Sequence, residues 1–158
     1  MVYAAWILAA LLLTWVFSGL LDRQRNPNVG VQTSTGADNV KEVVLKRNRF
    51  GHYVANGEIN GGTVEFLLDT GATVVSVPIG LARRLQLQAG ASRVVETANG
   101  PMVTYATTLN SVKIGDIELT NVAASINPNS GSREVLLGMT FLKHLELLQR
   151  GDTLTIRQ

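Results

Sequence analysis

Cysteine is absent from this 158-residue sequence. Its absence excludes disulfides, thiol catalysis and cysteine-based metal sites, and it is compatible with either an oxidising or a reducing compartment. The only two histidines, His52 and His144, lie far apart and have no neighbouring carboxylate ligands. We therefore expect no metal site and no cofactor.

Strong charge of either sign is also missing. Fourteen basic and twelve acidic side chains give a formal net charge of +2, and the largest basic cluster is Lys46, Arg47 and Arg49. This distribution predicts no nucleic-acid partner. The length leaves room for one membrane segment and one compact domain of roughly 110 to 120 residues, which excludes a two-domain enzyme.

Charge is absent altogether from Tyr3 to Leu21, a run of about nineteen residues that is long enough as a helix to cross a bilayer. We predict a transmembrane anchor over residues 1–21, which contacts the membrane through residues 3–21. A cleaved signal peptide is the alternative, but the usual basic n-region is missing. Arg23 and Arg25 follow the anchor, and the positive-inside rule would keep the domain after them in the cytoplasm.

Residues 22–42 are polar, rich in Gly, Ser, Thr and Asn, and lack apolar periodicity. This composition predicts a flexible tether. From residue 43 the pattern changes to short apolar strands separated by turn residues, including Asn60-Gly61 and Asn99-Gly100 between alternating runs. Helical spacing is limited to Leu81–Leu85 and to residues 139–145. Residues 43–158 are therefore predicted to form a mostly β domain with two short helices.

One carboxylate stands out in that domain. Asp69 ends the apolar strand Val64–Leu68 and is followed at once by Thr70, Gly71 and Ala72. An ionised aspartate beside leucines is costly, so this group should share a proton or be held by several hydrogen bonds.

The other aspartates are poor partners for it. Asp22 and Asp38 lie in the predicted tether. Asp116 and Asp152 each follow a glycine in a predicted turn, and the Arg-Gly-Asp of residues 150–152 is itself part of such a turn. No second Asp-Thr-Gly or Asp-Ser-Gly exists in the sequence. A catalytic pair of carboxylates would therefore require two copies of the chain.

Several short segments together resemble, in order and spacing, the bacterial retropepsin-like aspartic proteases. They are Gly51-His52-Tyr53, Ile59-Asn60-Gly61, Phe66–Thr73, Thr97–Gly100 and Leu136–Leu142. The resemblance extends from about Val43 to Gln158. It implies an acid-protease barrel equivalent to one pepsin lobe, active as a homodimer on extended polypeptide substrates.

The resemblance also implies a mechanism and a role for each motif. Two copies of Asp69 would share a proton and hold one water between them, hydrolysing peptide bonds by general acid and base catalysis at mildly acidic pH. Thr70 would hydrogen-bond across the dimer, Gly71 would bring its backbone close to the carboxylates, and Ala72 would leave space for substrate. The flap that closes on the peptide would be Thr97, Ala98, Asn99, Gly100 and Pro101. Leu137 and Gly138 would pack beneath the catalytic loop.

Dimerisation is expected through the terminal strands, with Leu154 and Ile156 in the interface. Because some members of such families face the periplasm, we expect a single-pass protein of the bacterial inner membrane with a periplasmic catalytic domain, against the indication from the arginines. Its substrates would be membrane or envelope proteins, or its own tether.

Two alternatives belong to other functional classes. One is a catalytically silent module that keeps the barrel and uses its groove to bind peptides. The other is an aspartyl-phosphate enzyme, in which the aspartate before Thr-Gly is a nucleophile. The second alternative predicts a parallel α/β fold with Mg²⁺ ligands, and the hairpin-rich pattern disfavours it.

Overall fold

A computed structural model describes residues 2–36, 39–97 and 100–158. It begins with helix α1 (Val2–Arg25), whose described side chains are exposed apart from the last residue, Arg25, which is half-buried. In the described part of the chain, this is the one helix that is long and apolar enough to span a membrane, judged by length and composition. The elements that follow are β1 (Thr33–Thr35), β2 (Lys41–Lys46), β3 (Val54–Ile59), β4 (Gly62–Leu68), β5 (Val75–Pro78), α2 (Ile79–Arg84), β6 (Ser92–Thr97), β7 (Gly100–Ile114), β8 (Ile117–Asn127), β9 (Glu134–Leu137), α3 (Met139–Leu142), β10 (Glu146–Arg150) and β11 (Thr153–Arg157).

Within the described residues, the strands form two sheets. The smaller has the order β1-β2-β11-β10, and the larger has the order β3-β4-β9-β5-β8-β7-β6. Strand β3 also pairs with β7, where Ile59 lies opposite Val112, so the larger sheet closes on itself. The predicted mostly β domain with two short helices is confirmed. Two of its strands are longer than the short strands expected: β7 has fifteen residues and β8 has eleven.

Turn chemistry explains the β3–β4 hairpin. Asn60 and Gly61 connect the strands with φ angles of 51° and 77°. Positive φ at both central residues is the geometry that Asn-Gly favours, because its twist matches that of the two strands. The predicted hairpin is therefore present, and it feeds β4 directly toward Asp69.

The core between the sheets is built from alternating aliphatic side chains and two fully buried aromatic rings, Phe66 and Phe141. Ile156 is 0 % exposed and Leu154 is 8 % exposed, both within one chain. Strand β11 is hydrogen-bonded on both edges, to β2 and to β10. Ile156 is therefore unavailable for a dimer interface, and that part of the expectation is wrong. Leu154 also lines a surface depression with Tyr53, Leu68 and Thr70, so the structure does not remove it from a contact. Alternate residues of a strand face the same side, and here that side is the core of the chain itself.

Residues 22–36 have more structure than the predicted flexible tether. Helix α1 continues through Arg25, and strand β1 pairs with β2. The Nδ2 of Asn28 donates to the carbonyl oxygens of Lys46 at 2.9 Å and Val54 at 2.7 Å, while its Oδ1 accepts from the amide of Lys46. A single asparagine side chain thus completes the hydrogen bonding between β2 and β3. Composition gave no sign of this contact, because the bonding groups are far from Asn28 in sequence.

A second contact joins the end of α1 to the hairpin. Arg25 pairs with the Glu65 carboxylate at 2.5 Å, and the Nδ2 of Asn26 donates to the other oxygen of Glu65 at 2.9 Å. The Glu65 side chain lies half-buried in this cluster. The segment that follows the helix is therefore packed on the domain.

Candidate active site

Asp69 lies where β4 ends beside the parallel strand β9. Its amide donates to the carbonyl oxygen of Leu137 at 3.2 Å, which extends the pairing of Leu68 with Leu137 by one bond. The chain then turns sharply, and the Ala72 amide donates back to the Asp69 carbonyl oxygen at 3.2 Å. The strand pairing and the turn together fix the direction in which the carboxylate leaves the backbone.

The carboxylate itself is held by its own loop. The amide of Gly71 donates to Oδ1 of Asp69 at 2.9 Å. A Cβ on residue 71 would lie 3.1 Å from the same oxygen, so a larger residue would crowd it. Among the described residues, Oδ2 has no hydrogen-bond partner and is free to meet a water or a second carboxyl group.

Leu137 and Gly138 lie directly beneath this loop, as the sequence resemblance implies. Leu137 is fully buried. An added Cβ at Gly138 would lie 2.6 Å from the carbonyl oxygen of Ala72 and closer still to that of Val74. The next residue, Met139, uses this close approach to donate its amide to the Ala72 carbonyl oxygen at 2.8 Å. No side chain larger than that of glycine fits at this position.

Thr140 is a supporting residue that sequence reasoning missed. Its Oγ1 accepts from the amide of Val75 at 3.1 Å and donates to the carbonyl oxygen of Ala123 at 2.8 Å. The hydroxyl therefore ties α3 to β5 and β8, behind the Asp69 loop. The available signal was a lone hydroxyl between apolar residues in the segment that follows Gly138.

The loop stands at one side of a cleft of about 650 Å³. The floor and sides come from the loop, from β8 with the segment after it, and from the β6–β7 hairpin. Lining residues include Ala72, Ser76, Val95, Met102, Ser125 and Asn127. This mixture of small, apolar and amide side chains offers both van der Waals contact and hydrogen bonding to a polypeptide.

The β6–β7 hairpin is the predicted flap. Thr97 and Gly100 line the cleft, and the Thr97 hydroxyl donates to the Gly100 carbonyl oxygen at 2.7 Å. Ala98 and Asn99, which the sequence places at the tip, lie outside the described residues. The strands on either side of the tip overhang the cleft, as a cover over a bound peptide requires.

Thr70 points away from this cleft. It is exposed and lines a shallow depression of about 250 Å³ with Tyr53, Leu68, Leu142 and Leu147, among others. In the part of the chain that the structure describes, no group of three or more His, Asp or Glu side chains could hold a metal ion. The site therefore has one loop-held carboxylate, a peptide-sized cleft on one side and, on the other, an uncovered depression of leucine and polar side chains.

Comparison with known proteins agrees with this geometry. The family described as gag-polyprotein putative aspartyl protease matches residues 55–144, which include the Asp69 loop, the flap and Gly138. An uncharacterized protein in the cobV 5′ region of Sinorhizobium sp is 32 % identical over 127 residues, covering 78 % of this chain and 54 % of that protein. The uncharacterized protein RP867 of Rickettsia prowazekii (strain Madrid E) is 30 % identical over 111 residues, covering 68 % and 47 %. The chain thus spans about half the length of the curated relatives it matches.

Solved structures give the same fold. A retropepsin-like aspartic protease from Rickettsia conorii is 27 % identical, with a TM-score of 0.61 over 80 % of this chain and 94 % of that one. The EIAV protease, in complex with the inhibitor HBY-793, is 18 % identical, with a TM-score of 0.51 over 63 % and 93 %, which supports the fold alone. The family match covers more than half of the chain and includes the Asp69 loop. This chain belongs to the retropepsin-like aspartic protease family.

Proposed function

We propose that this protein is a membrane-anchored aspartic endopeptidase in which the Asp69 carboxylates of a homodimer activate water to hydrolyse peptide bonds. The observation that carries the proposal is the Asp69 loop. Its carboxylate accepts from the Gly71 amide through Oδ1, and the loop packs closely on Gly138. The loop residues Gly71 to Val74 line a cleft that the β6–β7 hairpin also lines.

The chemistry requires two such carboxyl groups with one proton between them. The ionised Asp69 takes a proton from the water, whose oxygen attacks the peptide carbonyl carbon, while the protonated Asp69 of the second copy donates to the carbonyl oxygen. The tetrahedral intermediate then collapses as a proton passes to the amide nitrogen and the carbon–nitrogen bond breaks. Because one carboxyl must be ionised and the other protonated, activity should be greatest at mildly acidic pH.

A homodimer is supported by the count of carboxylates and by the exposed surface beside the loop. Asp69 is the single aspartate of the Asp-Thr-Gly type in the sequence. The depression lined by Tyr53, Leu68, Thr70 and Leu147 presents both leucine and polar side chains, adjoins the loop and is uncovered in one chain. A second copy placed here would cover this depression and bring its own Asp69 toward the first. Leu154 lines this depression and stays in the proposed contact, whereas the fully buried Ile156 does not.

Membrane anchoring is supported by α1. Residues 3–21 carry no charge, and Trp6, Trp15 and Phe17 are each at least 60 % exposed. Exposed apolar surface on this scale needs lipid or a partner to cover it. We place the protein in the bacterial inner membrane with residues 22–158 on the periplasmic side. A topology reporter fused after Gln158 tests this placement, and reporter activity confined to the cytoplasm would contradict it.

Cleavage of a diverse peptide library tests the proposed activity. The full chain in detergent micelles is assayed from acidic to neutral pH beside Asp69→Asn and a charge-matched control, Asp116→Asn, which changes an exposed turn residue. We expect Asp69→Asn to lower the cleavage rate by several orders of magnitude, because both carboxyl groups of the pair become amides. Asp116→Asn should keep wild-type rates.

Two results would contradict the proposal. Full activity of Asp69→Asn would exclude this aspartate as the acid–base group. No cleavage by a folded, dimeric wild type would instead favour the silent peptide-binding module.

A further inference from the structure

The loop between β2 and β3 is attached to the last turn of α1. The Nη1 of Arg49 donates to Oε1 of Gln24 at 2.7 Å, and the Nδ2 of Asn48 donates to the carbonyl oxygen of Arg25 at 2.9 Å. The same asparagine holds the loop together, because its Oδ1 accepts from the amide of Phe50 at 2.9 Å. The loop therefore has a fixed position relative to the end of the helix.

That position corresponds to a definite depth when α1 spans a bilayer. The uncharged run from Tyr3 to Leu21 is about 28 Å long as a helix, close to the roughly 30 Å of the hydrocarbon core. Gln24 lies one turn beyond Leu21, about 4.5 Å further along the axis. Since each headgroup region is about 5 to 7 Å thick, the contact between Arg49 and Gln24 falls at headgroup depth.

The side chains presented there suit an anionic lipid surface. Phe50 is 60 % exposed, and the Arg49 guanidinium stacks over its ring at 5.0 Å. Among the residues that the structure describes, neither Arg49 nor Arg23 pairs with a carboxylate, although their neighbours Arg25 and Arg47 do. Aromatic rings and arginines with apolar stems are favoured at the membrane interface, and each arginine also attracts anionic headgroups.

We propose that residues 47–52 form a second membrane contact, in which Arg49 and Arg23 bind anionic phospholipid headgroups and the Phe50 ring lies at the edge of the acyl chains. The inference rests on the anchoring part of the proposed function and is independent of catalysis. Its consequence is orientation. The domain is held against the bilayer at two points, so its cleft has a fixed height and tilt for substrate segments close to the membrane.

Because the sequence has no cysteine, a single introduced thiol is the only group that a thiol-reactive fluorophore labels. Phe50→Cys in the full chain is labelled with an environment-sensitive fluorophore and reconstituted into vesicles of neutral phosphatidylcholine, with or without phosphatidylglycerol. Val94→Cys is the matched control, since it is also an exposed apolar residue but lies in β6, whose strand partner among the described residues is β7. Quenching by lipids brominated in their acyl chains reports contact, and vesicle flotation reports anchoring separately.

We expect the label at residue 50 to be quenched in vesicles that contain phosphatidylglycerol, and the label at residue 94 to remain in water. Arg49→Gln should lower the ratio of docked to undocked loop about fivefold, whereas Arg93→Gln, the same charge change in β6, should not. A chain that floats while residue 50 stays in water overturns this contact and leaves the anchor intact. Equal quenching in neutral vesicles overturns the assignment to anionic lipid, and failure to float overturns both the contact and the anchor.

Discussion

Asp69 uses its two carboxylate oxygens differently. Oδ1 accepts from the Gly71 amide, while Oδ2 has no partner among the described residues. The sequence located the aspartate and its turn, because Asp69, Thr70 and Gly71 are consecutive, but it did not predict which oxygen is bonded. Thr140 could not be predicted in the same way, since its hydroxyl bonds to Val75 and Ala123, which are remote in sequence. A local motif shows where a reactive group is, and the residues that support it become visible only in the fold.

Gly138 gives a direct test of the support beneath the loop. Gly138→Ala places a methyl group against the carbonyl oxygens of Ala72 and Val74, so we expect a loss of about 3 kcal/mol in the free energy of unfolding and a lower thermal midpoint. Thermal unfolding of the full chain in micelles, followed by circular dichroism, measures it.

Gly131→Ala is the matched control, because nothing lies within 4 Å of its added Cβ. Its midpoint should stay close to that of the wild type. If Gly138→Ala unfolds at the wild-type temperature, the loop is not packed as closely as described here.

Hairpins and the segment after α1 show what can be predicted for whole elements. Asn60-Gly61 predicted a hairpin correctly, because both left-handed residues are adjacent in the sequence. Residues 26–36 were expected to be flexible, because their composition is polar. Their attachment depends instead on Asn28, which is only 8 % exposed and bridges β2 and β3. Polar composition predicts disorder only where the polar groups have no partner in the fold.

Asn28→Ala tests this attachment. The change leaves the amide of Lys46 and the carbonyl oxygens of Lys46 and Val54 without their partner, so we expect a loss of about 3 kcal/mol in the free energy of unfolding. Urea titration of the chain in micelles gives this value. Asn110→Ala, an exposed asparagine on β7, should change stability by less than about 0.5 kcal/mol. Equal stability of the two variants would mean that the segment is free after all.

For the whole molecule, the sequence predicted the fold class correctly. The homodimer stays a proposal, and the surface proposed for it came from the structure. The terminal strand looked available because it is apolar and short. In the structure Ile156 is fully buried in the core, while Leu154, 8 % exposed, also lines the uncovered depression beside Thr70. An apolar strand sequence predicts that the strand is buried. Whether the same chain or a second copy buries it depends on the order of strands in the sheet, which the sequence of one strand does not give.

In the proposed mechanism, one active site takes an Asp69 from each of two chains. Mixed dimers of wild type and Asp69→Asn test this sharing. Wild type is kept at a fixed concentration where sedimentation shows a dimer. An equal amount of Asp69→Asn is added, the subunits are allowed to exchange, and peptide cleavage is then measured. After random pairing, the number of dimers with two Asp69 groups is about half the number present before mixing. The rate should therefore fall to about half, although the amount of wild type is unchanged. Asp116→Asn, mixed in the same way, should about double the rate, since every pairing keeps both Asp69 groups. A rate that Asp69→Asn leaves unchanged would contradict the shared site.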